Sequence, residues 1–248
     1  MRKVAIFNAG SIQRTNPSFH ALVGGDYDRL FTEAASLLPA DVLAVDLQVG
    51  DPLPDPDDLR AVIVTGSPAM VTDRHPWAES AASWLTANLD RVPILGVCFG
   101  HQLIAQALGG KLDWNQAGPE YGTIGVELSE ECKRDPLMSE LPPSLKAQCA
   151  HFQTVTETPR GAVVLARGAS GIQALRFSTL AWGIQFHPEY SQRTMSALIT
   201  TIRDKLSSAG VDVNRTLAAV EPTETARTVL NRFLTIAAAE STRRRHTS

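Results

Sequence analysis

Short apolar runs alternate with segments of helical hydrophobic spacing along the first half of the chain. The apolar runs are rich in β-branched residues, as is typical of strands that are buried on both faces of a sheet. They are RKVAIF (2–7), DVLAVDL (41–47), AVIVTG (61–66) and VPILGV (92–97). Helices are predicted at 27–38 and at 77–89. This alternation predicts an α/β fold, a three-layer sandwich with helices on both faces of a mainly parallel, mixed central sheet.

The second half of the chain is denser in predicted strands. TIGVELS, GAVVLAR, GIQALRF and LAWGIQF lie at short separations, which favours antiparallel or mixed pairing. A last helical pattern at 216–239 should pack on its own domain through one apolar stripe, formed by Ala226, Val229, Leu230, Phe233 and Ala237. The closing STRRRHTS is expected to be a solvated tail. We predict a main domain over residues 1–208 and a C-terminal helical extension with a basic tail over 209–248.

Composition narrows the function classes. The 248 residues carry a net charge of -3, which argues against nucleic acid as the main partner. No apolar stretch approaches the roughly 20 residues that span a bilayer, and the polar start is unlike a signal peptide, so we expect a cytoplasmic protein without a membrane partner. The three cysteines form no CxxC pair and the six histidines show no metal-ligand spacing, so no metal site is predicted.

One cysteine stands between two glycines where the fourth apolar run ends, in GVCFGHQLIAQAL. The G-x-C-x-G arrangement of Gly96, Cys98 and Gly100 predicts a sharp strand-to-helix turn with a strained central residue, because side chains at the glycine positions would collide. Cys98 would then lie at a helix N-terminus, where the helix dipole favours a thiolate. The turn predicts a nucleophile, although a buried structural cysteine also suits this pattern taken alone. Cys132 and Cys149 lack such a turn and are expected to be structural.

A histidine and a glutamate follow the last predicted strand, in GIQFHPEY. A cysteine nucleophile needs a base within hydrogen-bond reach and a third group that holds the base. Residues i and i+2 of an extended segment face the same way, so His187 and Glu189 can lie side by side. Both this pair and Cys98 would emerge at the carboxyl edge of one sheet, where open α/β proteins bind ligands. His101 is instead expected to be a packing residue on the helix that follows Cys98.

Together these motifs resemble the class I, or triad, glutamine amidotransferases. The resemblance rests on GVCFGHQLIAQALGG, WGIQFHPEY and AVIVTGSPAMV and extends from about residue 1 to 205. It is nearest to free-standing domains related to the glutaminase part of GMP synthase, and it implies a flavodoxin-like sheet. By this resemblance Cys98 is the nucleophile, His187 the general base and acid, and Glu189 the orienting carboxylate.

The resemblance also implies the remaining site residues. The oxyanion would be held by the backbone N–H groups of Ser67 and Phe99, although the family usually has a second glycine where this chain has Ser67. The loop AHFQTV (150–155) resembles the segment that contacts the amino acid end of the substrate, but it departs from the family pattern on both sides of its histidine. The substrate-binding residues implied in this way are Gly66, Gln102, His151, Phe152 and Gln153.

The implied activity is hydrolysis of the glutamine side-chain amide through a thioester on Cys98, which needs neither a metal ion nor an organic cofactor. No G-x-x-x-x-G-K-[ST] motif occurs in the sequence, so a synthase that accepts the ammonia would be a separate subunit. A γ-glutamyl peptidase would use the same three residues and is the main alternative. A catalytically silent binding module is a further alternative, against which the intact triad counts. The loop-like insert at 10–26 follows the first predicted strand and is placed to cover or uncover the site, although a simple surface connector also suits it.

Overall fold

The computed structural model describes residues 2–246, in which eleven strands form two sheets. In chain order the strands are β1 (Lys3–Asn8), β2 (Val42–Asp46), β3 (Leu59–Val64), β4 (Ile94–Val97), β5 (Lys111–Trp114), β6 (Glu120–Leu128), β7 (Ser144–His151), β8 (Gln153–Glu157), β9 (Val163–Gly168), β10 (Gly171–Arg176) and β11 (Ala181–Ile184). The main sheet has the order β2-β1-β3-β4-β11-β10-β9-β6-β7, and β5 pairs with β8 in a separate ribbon.

The main sheet is mixed, and its parallel half carries the chemistry. From β2 to β11 the five neighbouring strands run parallel, whereas β11, β10, β9, β6 and β7 pair antiparallel. The carboxyl ends of β3, β4 and β11 therefore meet at one edge. The predicted α/β fold is confirmed, and so is the antiparallel or mixed pairing expected in the second half of the chain, where β11 pairs parallel with β4 and antiparallel with β10.

The helices form layers on the two faces of the parallel strands. They are α1 (Ile12–Thr15), α2 (Pro17–Val23), α3 (Tyr27–Ala34), α4 (Pro76–Asn88), α5 (Phe99–Ala107), α6 (Gln192–Thr201), α7 (Arg203–Ser208), α8 (Val213–Ala218) and α9 (Glu224–His246). Val4 and Ile6 belong to one apolar cluster with residues of α3 and α9, whereas Ala5 and Phe7 belong to a second cluster with α4 and α5. Alternate strand residues thus enter opposite cores, which explains why the strands are apolar throughout. None of the helices within residues 2–246 has the length and apolar character needed to cross a membrane.

The final helix differs from its predicted range of 216–239. It begins at Glu224, two residues after Pro222, and residues 213–218 form the separate helix α8. It also continues into the predicted tail as far as His246. In this last part Glu240 forms ion pairs with Arg243 at i+3 and with Arg244 at i+4. Thr247 and Ser248 lie outside the described residues. The apolar stripe of α9 is fully buried in the same cluster as β1, β3 and β4, as predicted for packing on its own domain.

The insert at 10–26 is helical rather than loop-like, because side chains cap its two short helices. Asp26 accepts hydrogen bonds from the Ser11 hydroxyl at 2.6 Å and from the Ile12 N–H at 2.7 Å, so that it closes the start of α1. Asn16 caps α2 through the Phe19 N–H at 3.0 Å and also donates to Thr201 of α6 at 2.9 Å. The insert is therefore fastened to α6 beside the carboxyl edge of the sheet.

Helix α3 is shorter than the predicted 27–38. It ends at Ala34, and Ser36 adopts the left-handed conformation with φ 52°. Pro39 lies shortly beyond, so the helix cannot continue. Leu38, which the periodicity placed on the apolar face, is 67% exposed as a result.

Candidate active site

Cys98 lies on a sharp turn between β4 and α5. Its backbone has φ 51° and ψ -100°, a conformation that costs a non-glycine residue about 1–3 kcal/mol. Two backbone hydrogen bonds hold the turn, from the Cys98 N–H to the Ile184 carbonyl at 2.8 Å and from the Gln102 N–H to the Cys98 carbonyl at 3.1 Å. The strained conformation predicted for this position is confirmed, and it projects the thiol from the end of the strand.

The flanking glycines are required by close approach of the backbone. A Cβ on Gly96 would lie 2.6 Å from the carbonyl carbon and oxygen of Gly100. A Cβ on Gly100 would lie 2.5 Å from the Val64 carbonyl oxygen on the neighbouring strand. Neither contact can be relieved by rotating a side chain, because the atoms belong to the backbone. The G-x-C-x-G spacing is thus explained by the packing of α5 against β3 and β4.

His187 and Glu189 follow β11, the strand that pairs with β4. The Nδ1 atom of His187 lies 2.6 Å from Oε1 of Glu189, and both residues are 3% exposed. Burial lowers the pKa of His187, but the charges of Glu189 and Cys98 outweigh it and raise the pKa to about 10. At neutral pH the imidazole therefore holds its second proton.

Gly66 brings the cysteine and the histidine together. A Cβ built on Gly66 would lie 2.9 Å from Cε1 of His187 and 3.6 Å from Cβ of Cys98, so both side chains pack against its backbone. Nε2 of His187 is buried, and no hydrogen-bond partner for it is found among the described residues. Because Nδ1 is held by Glu189, Nε2 is the ring atom left to exchange a proton with a substrate.

The two predicted oxyanion residues line the same pocket as Cys98. Phe99 is the first residue of α5, where an N–H group has no partner within the helix. Ser67 lies in the turn after β3, and its hydroxyl accepts a hydrogen bond from the Ala69 N–H at 3.1 Å. The Ser67 side chain thus serves the turn itself, and its backbone is the part that can face a substrate.

The pocket encloses about 200 Å³ between the sheet edge, the insert and α6–α7. Gln102, His151, Phe152 and Gln153, four of the predicted substrate-binding residues, all line it. The amide nitrogen of Gln102 donates to the Gln153 carbonyl at 2.7 Å and to the Gln185 side chain at 2.9 Å. Both of its N–H groups are therefore used, which leaves the Gln102 oxygen for a ligand.

His151 is held by two acceptors. Its Nδ1 lies 2.9 Å from the Gln153 carbonyl oxygen and its Nε2 lies 2.9 Å from the Glu120 carboxylate. The Gln153 side chain donates to the Thr72 hydroxyl at 2.8 Å. The side chains of His151 and Gln153 thus stabilise the pocket wall through contacts within the protein. Phe152 packs edge-on against Tyr121 and Trp114.

Glu120, Cys149 and His151 form a cluster whose ligand atoms lie within 4.8 Å of one another. Glu120 already binds His151 and also accepts hydrogen bonds from Ser170 and, at 2.9 Å, from Gln173. Burial raises the pKa of the Cys149 thiol well above its ordinary value, which disfavours the thiolate that metal binding needs. These contacts make the cluster a satisfied hydrogen-bond network behind the pocket wall.

Several pocket residues escaped the sequence analysis. Tyr190 stacks on the His187 imidazole with ring centroids 4.3 Å apart and an interplanar angle of 6°. Burial and the Cys98 charge raise the pKa of Tyr27 and Tyr121, so both phenols stay neutral beside the cysteine. Lys205 of α7 also lines the pocket. The position of Tyr190 directly after the HPE motif was the one signal available, and the others are distant in sequence.

The fold and the site define a cysteine-dependent amidohydrolase, in which a strained cysteine and a histidine line one pocket and a buried glutamate holds the histidine. The chain belongs to the class-I glutamine amidotransferase family, whose profile matches residues 38–203. Hydrolysis of glutamine to glutamate and ammonia is the activity of this family. The family resemblance expected from the motifs is thereby confirmed.

Curated relatives agree with this assignment, and a solved structure shares the fold. The chain is 34% identical over 155 residues to a glutamine-hydrolyzing GMP synthase subunit from Methanopyrus kandleri, covering 60% of this chain and 79% of that protein. It is 32% identical over 174 residues to the corresponding GMP synthase subunit from Halobacterium salinarum, covering 68% and 88%. A crystal structure of a glutamine amidotransferase from Thermotoga maritima shares the fold with a TM-score of 0.72 and 21% identity, covering 96% of this chain and 98% of that one.

Proposed function

We propose that Cys98, His187 and Glu189 carry out glutamine hydrolysis in this protein, as nucleophile, general base and acid, and orienting carboxylate. The observation that carries this assignment is that the strained Cys98 and His187 line one pocket while the buried Glu189 holds His187. A fixed nucleophile and a pre-oriented base lower the barrier because little reorganisation is left for the reaction.

In the first half of the cycle the Cys98 sulfur attacks the amide carbon, and the carbonyl oxygen becomes an oxyanion. The N–H groups of Ser67 and Phe99 are assigned to stabilise that charge, and one such donor is worth about 2.7–4 kcal/mol in other enzymes. The carbon–nitrogen bond then breaks, and His187 donates its Nε2 proton to the departing nitrogen, so ammonia leaves. A pKa of about 10 means that the proton is already on the ring at neutral pH.

In the second half a water molecule attacks the thioester. His187 accepts a proton from this water, the carbon–sulfur bond breaks, and glutamate leaves as the sulfur of Cys98 is regenerated. Glu189 keeps the imidazole in one orientation through both steps. Because the chain's own residues supply every proton transfer, the proposal includes no cofactor or metal ion.

We assign substrate binding to Gly66, Gln102, His151, Phe152 and Gln153, of which all but Gly66 line the pocket. Gln102 offers its side-chain oxygen, since both of its N–H groups are engaged. The backbone of Gly66 keeps the cysteine and the histidine close together. His151 and Gln153 act by holding the segment that ends at Phe152.

We further propose that the ammonia passes to a separate synthase subunit in the cytoplasm. The relatives from Methanopyrus kandleri and Halobacterium salinarum are each named as one subunit of GMP synthase, which supports a divided enzyme. In this proposal residues 1–208 form the amidotransferase domain, and residues 209–248 form an extension that covers one face of the sheet through α9.

A γ-glutamyl peptidase is the second candidate, and one observation favours it. The pocket extends from Cys98 and His187 to the insert, where Ile12, Thr15, Asn16 and Phe19 line it. A leaving group larger than ammonia would lie in such an extension. The two activities share Cys98, His187 and Glu189 and differ in the amine that is released.

One experiment tests both candidates. Glutamate release is measured for the wild type, Cys98→Ala and Cys132→Ala, with glutamine and with a γ-glutamyl dipeptide as substrates. Cys98→Ala should be folded and inactive, whereas Cys132→Ala should keep activity because that buried thiol contacts the Leu165 carbonyl away from the site. Without a partner, the wild type should hydrolyse glutamine slowly and the dipeptide more slowly still.

Wild-type rates from Cys98→Ala would rule out the proposed nucleophile. A kcat/KM at least about tenfold higher for the dipeptide than for glutamine, without any added protein, would establish the peptidase instead; this factor corresponds to about 1.4 kcal/mol of transition-state preference.

A further inference from the structure

The wall of the pocket opposite the sheet edge is built by α6 and α7. Leu198 of α6, Ile202 between the two helices and Lys205 of α7 line the pocket from this side. Lys205 lies beyond residues 38–203, the part that matches the family profile. We propose that the Lys205 ammonium binds the α-carboxylate of the substrate, an inference that rests on the proposed hydrolysis at Cys98.

The charges of the pocket support a carboxylate ligand. Among the residues that line it in the described part of the chain there is one lysine and no aspartate or glutamate. His151 also lines the pocket, but both of its ring nitrogens face Glu120 and the Gln153 carbonyl. Besides the His187 imidazolium, whose Nδ1 is held by Glu189, a substrate carboxylate would thus find the Lys205 ammonium, for which no ion pair is seen among the described residues, and no carboxylate in the lining. Charge-assisted hydrogen bonds are among the stronger polar contacts.

The Lys205 ammonium lies over a segment, residues 150–152, that also contacts the nucleophile Cys98. Its Nζ lies 4.9 Å from the centroid of the Phe152 ring, within range of a cation–π contact that restricts the flexible side chain. Two residues earlier, the Ala150 carbonyl oxygen lies 3.8 Å from Sγ of Cys98. The three-residue segment 150–152 therefore has the Cys98 sulfur near its first residue and the Lys205 ammonium near its last.

The size of glutamine suits this span. Two steps of extended chain from residue 150 to residue 152 cover about 7 Å. In glutamine four single bonds separate the amide carbon from the α-carboxylate carbon, about 5 Å when extended, and the amide carbon stands about 3 Å from the attacking sulfur. With the amide at Cys98, the α-carboxylate can reach the end of the segment where Lys205 lies.

The test compares substrates with and without the α-carboxylate. Ammonia release from glutamine and from its α-amide is measured for the wild type, Lys205→Met, Lys205→Arg and Arg203→Met. Arg203 is a matched control because it carries the same charge two residues away on α7 but bonds Asn214 at 3.0 Å instead of lining the pocket. Protection of Cys98 from iodoacetamide by each compound, followed by mass spectrometry, reports binding without turnover.

In the wild type glutamine should bind about tenfold more tightly than its α-amide, as expected for a hydrogen bond to a charged group. Lys205→Met should raise KM for glutamine about tenfold at nearly constant kcat and abolish the preference for glutamine. Lys205→Arg should restore most of the preference, and Arg203→Met should behave as the wild type.

Three results would overturn the proposal. The first is a Lys205→Met protein that still prefers glutamine over its α-amide, and the second is an equal loss in Arg203→Met. The third is a loss, in Lys205→Met, of Cys98 protection by γ-glutamylglycine but not by glutamine, which would move Lys205 to the leaving-group side because only the dipeptide has a carboxylate beyond the scissile amide. Absence of wild-type turnover would count against the proposed function alone, because the protection assay would still report whether Lys205 binds the carboxylate.

Discussion

Replacing Glu189 by glutamine tests whether one buried carboxylate controls the protonation of His187. The introduced amide keeps the size of the side chain and can still accept the Nδ1 hydrogen bond, now 2.6 Å long. The change removes the negative charge. Because burial lowers the pKa of His187 and charges raise it to about 10, the pKa should fall when the Glu189 charge is lost.

The expected shift follows from the geometry of the pair. With charge centres about 4 Å apart and an effective dielectric constant of about 20, Coulomb's law gives about 4 kcal/mol. One pKa unit corresponds to about 1.4 kcal/mol, so the Glu189 charge accounts for a rise of about three in the pKa of His187. The pKa of His187 in Glu189→Gln should therefore be about 7.

This shift has a definite sign in the pH profile. In the wild type the imidazolium that protonates the leaving amine is lost only as the pH rises through about 10. In Glu189→Gln the decline of kcat/KM on the alkaline side should begin at about pH 7. At neutral pH the variant should lose between about 10-fold and 10⁴-fold in rate, as orienting groups of such triads do.

The assay is glutamate release from about pH 6 to 10.5, together with nitrogen-15 NMR titration of labelled histidine, which does not depend on turnover. Glu120→Gln is the matched control, since it removes a carboxylate 2.9 Å from the other pocket histidine, His151. Its alkaline limb should remain near that of the wild type. The reasoning is refuted if Glu189→Gln keeps its alkaline limb, or if Glu120→Gln moves it equally.

Two further predictions concern stability. Gly100→Ala should lower the free energy of unfolding by about 2–3 kcal/mol, because the new Cβ would lie 2.5 Å from the Val64 carbonyl oxygen. The control Gly125→Ala should have little effect, because no atom lies within 4 Å of the new Cβ. Equal urea midpoints for the two variants would contradict this steric explanation. Burial lowers the pKa of His101 in the folded protein to about 3. Below about pH 6.5 the unfolded chain binds a proton at this residue and the folded protein does not, so the free energy of unfolding falls as the pH is lowered from about 6.5 towards 3. Between pH 7 and pH 5 the wild type should lose about 2 kcal/mol from this residue, and His101→Gln should lack that part of the loss in urea unfolding at the two pH values.

Much of the sheet could be predicted because its signals are local. The apolar runs before Cys98 and before His187 are strands that are buried on both faces, and such runs are apolar at every position. The turn at Cys98 could also be predicted, since close approach of the backbone leaves room only for glycine at Gly96 and Gly100.

The insert and the chain end were predicted less well, because their helices depend on contacts of individual side chains. Asp26 closes α1 from fourteen or more residues away, and no apolar periodicity marks so short a helix. Glu240 extends α9 into a segment that composition alone indicates to be a solvated tail. Ser36 ends α3 with a left-handed backbone conformation, which a serine in the sequence does not predict.

The sequence by itself determined the class of the fold, the family and the three candidate catalytic residues, because each depends on neighbours along the chain. Only the tertiary structure decided which groups surround them. Tyr190 stacks on His187, Glu120 holds His151 across a β6–β7 pair, and Lys205 overlies Phe152. These contacts join residues that are distant in sequence, apart from Tyr190, whose stacking depends on how the chain turns after β11. Strand register and helix docking set them, and both depend on the free energy of packing the whole core rather than on any local pattern.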